Sequence, residues 1–338
     1  MTHFVKIKPR GYLLEVNDEE TVLEAAMRHG FDFPFSCGSA TCGTCMGKVL
    51  QGTFTYGQVQ PYALDEQQQS EGFALFCSVR PTSDLVIEVD EVYGPEYRPA
   101  RKFDYHVRDF KLLNDNIYQV FLTAQKNALE YQAGQYLQIL CDDGTSIPFS
   151  IANAPDNNKH IELQIKSVSE NLRNVEIIEK ITQNKDITLR GPYGATVYKA
   201  TPMLPIIYLA GGTGIVPIKA MLEAAFANND PRQLHLYWGV KNSSDLYLTD
   251  LFTEWAVKHA NFSFTPVITV QDAYWQGRTG LVHEVVVEQH KDLSGYHVYA
   301  SGPKEMVYAA YDEFTAKGLK PQLMFSDTFE YFPQTLRT

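Results

Sequence analysis

Four of the five cysteines fall within the first 77 residues, at the spacing Cys37-x4-Cys42-x2-Cys45-x31-Cys77. No other feature narrows what this chain can fold into as much. Three of these thiols share one nine-residue loop, and the residues around them, Gly38, Ser39, Ala40, Thr41, Gly43 and Thr44, are all small. Thiols held so close need either disulfides or a metal. The opening residues show no apolar stretch followed by a small-residue cleavage site, so the expected location is the cytoplasm. In that setting clustered cysteines point to metal ligation.

The four-residue and two-residue gaps with a distant fourth cysteine form the plant-type [2Fe–2S] pattern. Each iron takes two thiolates, and three ligands from one loop can wrap a small cluster only if the backbone bends sharply. Gly38 and Gly43 permit the bend, and their amides are candidates to point at the sulfurs. Phe35 and Phe76 are candidates to shield the group from water. A four-thiolate zinc site is the competing reading. Zinc modules favour two Cys-x-x-Cys pairs, and only Cys42 and Cys45 form one here. Cys141 stands apart and reads as a small buried apolar residue.

Length and texture divide the rest. At about 150 residues per domain, 338 residues suggest two or three domains. Residues 1–92 carry alternating strands around one helix, whose start is marked by a capping box, Thr21 and Glu24. Residues 93–102 hold two prolines and four charges and read as a linker. Residues 103–200 contain short alternating runs separated by turns, which predict a small antiparallel β-barrel, with one helical stretch near 171–181. Residues 201–338 alternate strand and helix, which predicts a Rossmann-like parallel sheet covered on both faces. The fold class is therefore multidomain, α+β followed by α/β. The formal net charge is −11, and residues 1–90 alone hold six basic and twelve acidic residues. That excludes a nucleic-acid binder and would steer basic partners. No apolar run is long enough to span a bilayer.

The cysteine loop with its Phe76-Cys77 partner resembles the plant-type ferredoxin domain, which implies a β-grasp fold with Cys37, Cys42, Cys45 and Cys77 as ligands. The next block carries Ala133–Tyr136, then Ile147–Asn153, then Arg190–Gly194, and in this order these segments resemble the ferredoxin-reductase family. The resemblance implies that FAD contacts Pro148, Phe149, Ser150, Ile151, Ala152 and Asn153, with the Ser150 hydroxyl near flavin N5. It implies a further contact at Gly191, Tyr193 and Gly194. An aromatic offers the ring a flat apolar face, and a hydroxyl can serve either protonation state of N5. Ile147 stands where the family has an arginine that clamps the flavin pyrophosphate. Arg173, in the following segment, is a candidate substitute.

Gly211, Gly212, Thr213 and Gly214 lie between an apolar strand and a helical pattern opened by Pro217. A glycine turn at a helix N-terminus suits a pyrophosphate. The family's cysteine that approaches the nicotinamide is replaced here, in the turn Ser301-Gly302-Pro303. Ser150 and Ser301 are thus the candidate catalytic residues. Dinucleotide choice is expected in residues 237–247, where the acidic Asp245 favours NADH over NADPH. Phe329 matches the family's C-terminal aromatic over the flavin.

As a whole the chain resembles the single-chain NADH-dependent iron–sulfur flavoprotein reductases, with the texture of the CDP-6-deoxy-3,4-glucoseen reductases and the reductase components of oxygenases. The resemblance implies electron flow from NADH through FAD to the cluster and on to a partner protein of the oxygenase or dehydrase type. A reductase of free flavin or ferric iron is the alternative that Ile147, Ser301 and the segment after the next strand favour. A non-enzymatic redox sensor is the third reading.

Overall fold

The computed structural model describes residues 2–328, except 10, 32, 36, 58, 90, 91, 93–99, 157–159, 168–171, 184, 202 and 274, and the side chains of 172 and 173. Residues 1–99 with 320–338 form one compact unit, and residues 100–319 form another.

The first unit holds β1 (Thr2–Lys8), β2 (Tyr12–Asn17), α1 (Val22–Arg28), β3 (Met46–Gln51), β4 (Phe54–Tyr56), α2 (Glu66–Ser70), β5 (Phe73–Leu75), β6 (Val79–Pro81) and β7 (Leu85–Glu88). Its main sheet runs β2-β1-β7-β3-β5, with β1 and β7 parallel and the remaining pairs antiparallel. A mixed sheet grasping one helix is the expected β-grasp. Alternation along β1 and β2 buries Val5, Ile7, Leu14 and Val16 on one face. They pack with Val22, Ala25 and Ala26 of α1 and with Phe33 and Phe76. The capping box forms as the spacing predicts: the Glu24 amide donates to Thr21 Oγ1 at 3.2 Å, and the Thr21 amide donates to Glu24 Oε2 at 2.8 Å. A second capping box, Asp65 with Gln68, turns the polar stretch before Phe76 into α2.

The second unit contains two sheets. The first comprises β8 (Arg101–Asn114), β9 (Ile117–Ala124), β10 (Tyr136–Leu140), β11 (Ser146–Ser150), β12 (His160–Lys166) and β13 (Asp186–Tyr193), with α3 (Leu172–Thr182) before β13. Strand order is β11-β10-β13-β8-β9-β12, antiparallel throughout. Among the described residues the expected barrel is not closed by a ladder; one bridge, Ile151 to Leu163, joins the two edges. β8 begins at Arg101, inside the stretch read as linker, while 93–99 lie outside the described residues.

The second sheet is parallel, with β14 (Ile206–Gly211), β15 (Leu234–Val240), β16 (Phe262–Ile268), β17 (Arg278–Thr279) and β18 (His297–Ser301) in the order β17-β16-β15-β14-β18. Every residue of β14 is buried, as a central parallel strand covered on both faces requires. The covering helices are α4 (Ile215–Ala227), α5 (Thr249–Lys258), α6 (Val282–Gln289) and α7 (Lys304–Ala316). Among the described residues no helix is long and apolar enough to cross a membrane.

Candidate functional site

The loop between α1 and β3 carries Cys37, Cys42 and Cys45, and Cys77 follows β5. None of the five cysteines forms a disulfide. The bends fall at Gly38 (φ 62°) and Gly43 (φ 75°), both in the left-handed region. The amides that reach sulfur are not theirs. The Ser39 and Thr41 amides donate to Cys37 Sγ at 3.4 Å each, the Cys37 amide to Cys42 Sγ at 3.4 Å, and the Ala40 amide to Cys77 Sγ at 3.1 Å. Contact with Cys42 draws the Cys37 thiol well below the usual thiol value against its burial, with Thr41 and Ser39 assisting. Cys42 and Cys45 are pushed the other way by their neighbours Cys37 and Cys77 and by burial. Four crowded and largely buried sulfurs cannot all be anionic unless cations lie among them. Sulfur donors ringed by amides fit a [2Fe–2S] cluster. Phe76 is fully buried and packs edge-on against Phe33 at 5.8 Å, so it belongs to the main core; Phe35 packs against both that core and the loop around Cys45.

In the antiparallel sheet, Ser150 pairs with Tyr136, Phe149 with Leu137, Pro148 with Gln138 and Ile147 with Ile139. Ile147 and Phe149 therefore share one face and pack against the sheet's core. Pro148 and Ser150 lie on the other. On that face Tyr136 stacks on Tyr193 at 5.3 Å, and Arg190 binds Gln138 Oε1 through Nη2 at 2.8 Å. The hydroxyls of Ser150 and Tyr193 make no hydrogen bond to described residues and remain open to a cofactor. Ile151 and Ala152 are fully buried. Asn153 is committed to the backbone: it accepts from the Glu162 amide at 2.8 Å and donates to the carbonyls of Ala154 and His160. The Gln135 side chain donates to the Gly194 carbonyl at 3.0 Å, fixing the turn after β13. Gly191 packs beside Leu137 of β10.

The two glycine turns of the parallel sheet meet. A Cβ on Gly214 would lie 2.1 Å from the Ser301 carbonyl oxygen, and one on Gly302 would lie 2.9 Å from the Gly211 Cα. A Cβ on Gly211 would strike Met306 and Pro303. Only glycine allows this backbone-to-backbone approach. Above it lies a cleft of about 730 Å³ lined by Gly211, Gly212, Thr213, Lys241, Asp245 and Pro303 among others, with Asn114, Asn116 and Lys166 of the antiparallel domain on its far wall. Helix α4 opens there with no side-chain cap; the Ile215 amide donates to the Gly212 and Thr213 carbonyls, and Pro217 carries no amide. Trp238, fully buried, donates to the Gly212 carbonyl at 2.9 Å and pins the turn. Asp245 lines the cleft, but Oδ2 already accepts from the Asn242 amide at 3.1 Å. Ser301 ends β18 with its hydroxyl unengaged by described residues. Phe329 lies outside the described residues, as does the side chain of Arg173.

Family models match the chain in three consecutive pieces: a 2Fe-2S iron-sulfur cluster binding domain over 5–82, an FAD-binding domain over 102–197 and an oxidoreductase NAD-binding domain over 208–312. The chain is 34% identical over 328 residues to the CDP-6-deoxy-L-threo-D-glycero-4-hexulose-3-dehydrase reductase of Yersinia pestis, covering 96% of this chain and 98% of that protein. The chain belongs to the iron–sulfur flavoprotein reductases. The reductase is also 33% identical over 318 residues to the phenol 2-monooxygenase reductase component DmpP of Pseudomonas sp. strain CF600, covering 92% and 89% of the two chains. Its fold matches the crystal structure of the Amycolatopsis cytochrome P450 reductase GcoB with a TM-score of 0.69 at 27% identity, over 97% of this chain and 99% of that one. It is an NAD(P)H-dependent oxidoreductase whose domains take a [2Fe–2S] cluster, FAD and NADH.

The sequence motifs missed several residues that shape these sites. Trp238 holds the Gly212 turn from the neighbouring strand β15. Lys219, Glu162 and Tyr247 form part of a buried polar network. Lys219 and Glu223, four apart and the two charged residues of an otherwise apolar helix, were the one legible signal, since a buried lysine is rare without a partner.

Proposed function

We propose that the reductase supplies single electrons, drawn from NADH, to a protein acceptor of the oxygenase or dehydrase class. In this reading Cys37, Cys42, Cys45 and Cys77 ligate the cluster. Pro148 to Asn153 with Gly191, Tyr193, Gly194 and Phe329 hold the flavin, and Gly211 to Gly214 with Ser301 to Pro303 hold the nicotinamide dinucleotide. When bound, FAD converts the electron pair of NADH into single electrons that the cluster can carry. The residues do the positioning. The Gly211–Gly214 turn, at the start of α4, receives the dinucleotide's phosphates. Ser301 and Ser150 present their hydroxyls, and Ser150 supplies a donor or acceptor at flavin N5. The amides of Ser39, Ala40 and Thr41 stabilise charge on the sulfurs. The cytoplasmic location belongs to the same reading.

The observation that carries the proposal is the convergence of four cysteines on a loop whose amides already point at sulfur. It is tested by an anaerobic visible spectrum before and after stoichiometric NADH, with iron, sulfide and flavin assayed alongside. Bleaching of flavin and cluster together supports the chain of transfer. Iron without flavin, with bleaching only after added FAD, moves the protein to the second reading, a reductase of free flavin. Ile147 favours that reading, because it faces the sheet core and offers no charge to a pyrophosphate.

A further inference from the structure

The side chain of Lys219 is buried, yet it sits on α4, five residues beyond Gly214. Its ammonium has three partners. It donates to the Ala152 carbonyl at 3.0 Å, to Glu162 Oε2 at 2.9 Å and to Glu223 Oε1 at 2.6 Å. Ala152 lies two residues beyond Ser150, and Glu162 belongs to β12 of the same antiparallel sheet. The other carboxylate atoms are engaged as well. Glu223 Oε2 accepts from the Ala154 amide at 2.9 Å, and Glu162 Oε1 accepts from Gln119 at 2.7 Å and Gln164 at 3.0 Å. Gln164 in turn accepts from the hydroxyl of Tyr247, at 3.1 Å, and Tyr247 lines the dinucleotide cleft. Burial opposes the charge on Lys219, but Glu162 and Glu223 outweigh it and hold the ammonium above the ordinary lysine value.

We infer that Lys219 and Glu162 are positioning residues that set the segment carrying Ser150 against the Gly211–Gly214 turn, and so fix how the nicotinamide meets the flavin. The inference rests on the proposed function. A buried ion pair is a poor source of stability, because desolvating two charges cancels most of their attraction. Its value lies in direction. One ammonium with three fixed acceptors permits a single placement of α4 over residues 152–154, whereas an apolar contact in the same place would tolerate sliding. Neither residue touches the reacting atoms.

The test compares Lys219→Met, Lys219→Arg and the double variant Lys219→Met with Glu162→Leu, which removes the buried ion pair and leaves the half-buried Glu223 still bound to the Ala154 amide. Three quantities are read on each: the limiting rate at which saturating NADH bleaches the flavin, the NADH dissociation constant, and hydrogen exchange of the 150–156 amides in the flavin-free protein. Lys219→Met and the double variant are expected to lose about tenfold or more in limiting rate, the scale of a sub-ångström misplacement. Their NADH dissociation constants are expected to change less than about threefold, since the cleft's own contacts remain. The Ala154 amide is expected to exchange faster. Lys219→Arg is expected to recover part of the rate. If Lys219→Met fails to fold, the double variant decides by itself. A double variant with wild-type limiting rate and wild-type exchange overturns the inference. A wild-type protein that NADH does not bleach, even with FAD added, overturns the proposed function instead, while the exchange measurement still decides whether the clamp orders residues 150–156.

Discussion

The amide of Ala40 donates to Cys77 Sγ at 3.1 Å, and it does so from a left-handed backbone at φ 56°. Cys77, far along the chain from the loop, is thus tied to it by a residue held in a conformation that alanine adopts at a cost of about 1 kcal/mol. Glycine would remove that strain and keep the amide.

Ala40→Gly is expected to retain full iron and sulfide and to change stability by no more than about 1 kcal/mol, because relief of strain and the greater freedom of the unfolded chain oppose each other. Ala40→Val, β-branched at a positive φ, is expected to lose iron. Iron assay and a urea titration of both variants check this pair.

Cys77→Ser is expected to remove the cluster's visible absorbance while leaving flavin content unchanged, because residues 148–153 and 191–194 lie in the other compact unit. NADH should still bleach the flavin, and electron delivery to a one-electron acceptor protein should fall sharply. Retention of the cluster band would remove Cys77 from the ligand set.

Ile147 packs at the edge of the core but is only half-buried, so the longer side chain of Ile147→Arg can carry its cation out to where the flavin pyrophosphate is expected. A charge-assisted contact of this kind contributes about 1.5–3 kcal/mol, or roughly tenfold to a hundredfold in FAD affinity. Isothermal titration of the flavin-free protein measures it. Unchanged affinity would show that the pyrophosphate is held elsewhere.

Gly214→Ala drives a methyl against the Ser301 carbonyl oxygen at 2.1 Å, backbone against backbone, where no side chain can yield. Separating the two turns is expected to cost about 1–3 kcal/mol of stability. NADH affinity should fall while the cluster spectrum stays intact.

His297 is fully buried, and burial, reinforced by Arg232 and Lys199, lowers its pKa to about 4. A depressed histidine keeps the folded state neutral while the unfolded chain binds a proton. The associated stability is therefore complete above the unfolded value of about 6.5 and is lost as pH falls toward about 4, by up to roughly 3 kcal/mol. Urea midpoints measured between these values should fall with pH in the wild type. His297→Phe should flatten that slope, and an equally steep slope in that variant would assign the acid sensitivity to other groups.

Much of this protein is legible along the chain because the signals are local. The cysteine spacing names its cluster, the Thr21 capping box starts α1, and the glycine turn after an apolar strand marks the cleft proposed for the dinucleotide. Each depends on residues a few positions apart, whose geometry the backbone enforces directly. Other local signals were weaker. β8 buries only Tyr105 and Val107 over fourteen residues, so its alternation hardly shows. The Asp65–Gln68 capping box of α2 was hidden in a glutamine-rich run.

Tertiary structure alone decided the contacts between distant segments. It chose Ala40, not a glycine, as the donor to Cys77. It set Ile147 and Phe149 on the core face through the register of β10 with β11. It pressed Gly214 onto Ser301, and it gave Lys219 its partners on β12 and at Ala152. The physical reason is common to all four. Register, burial and hydrogen-bond partnership depend on which strands and helices become neighbours, and that is settled only when the sheets assemble and their apolar faces leave water.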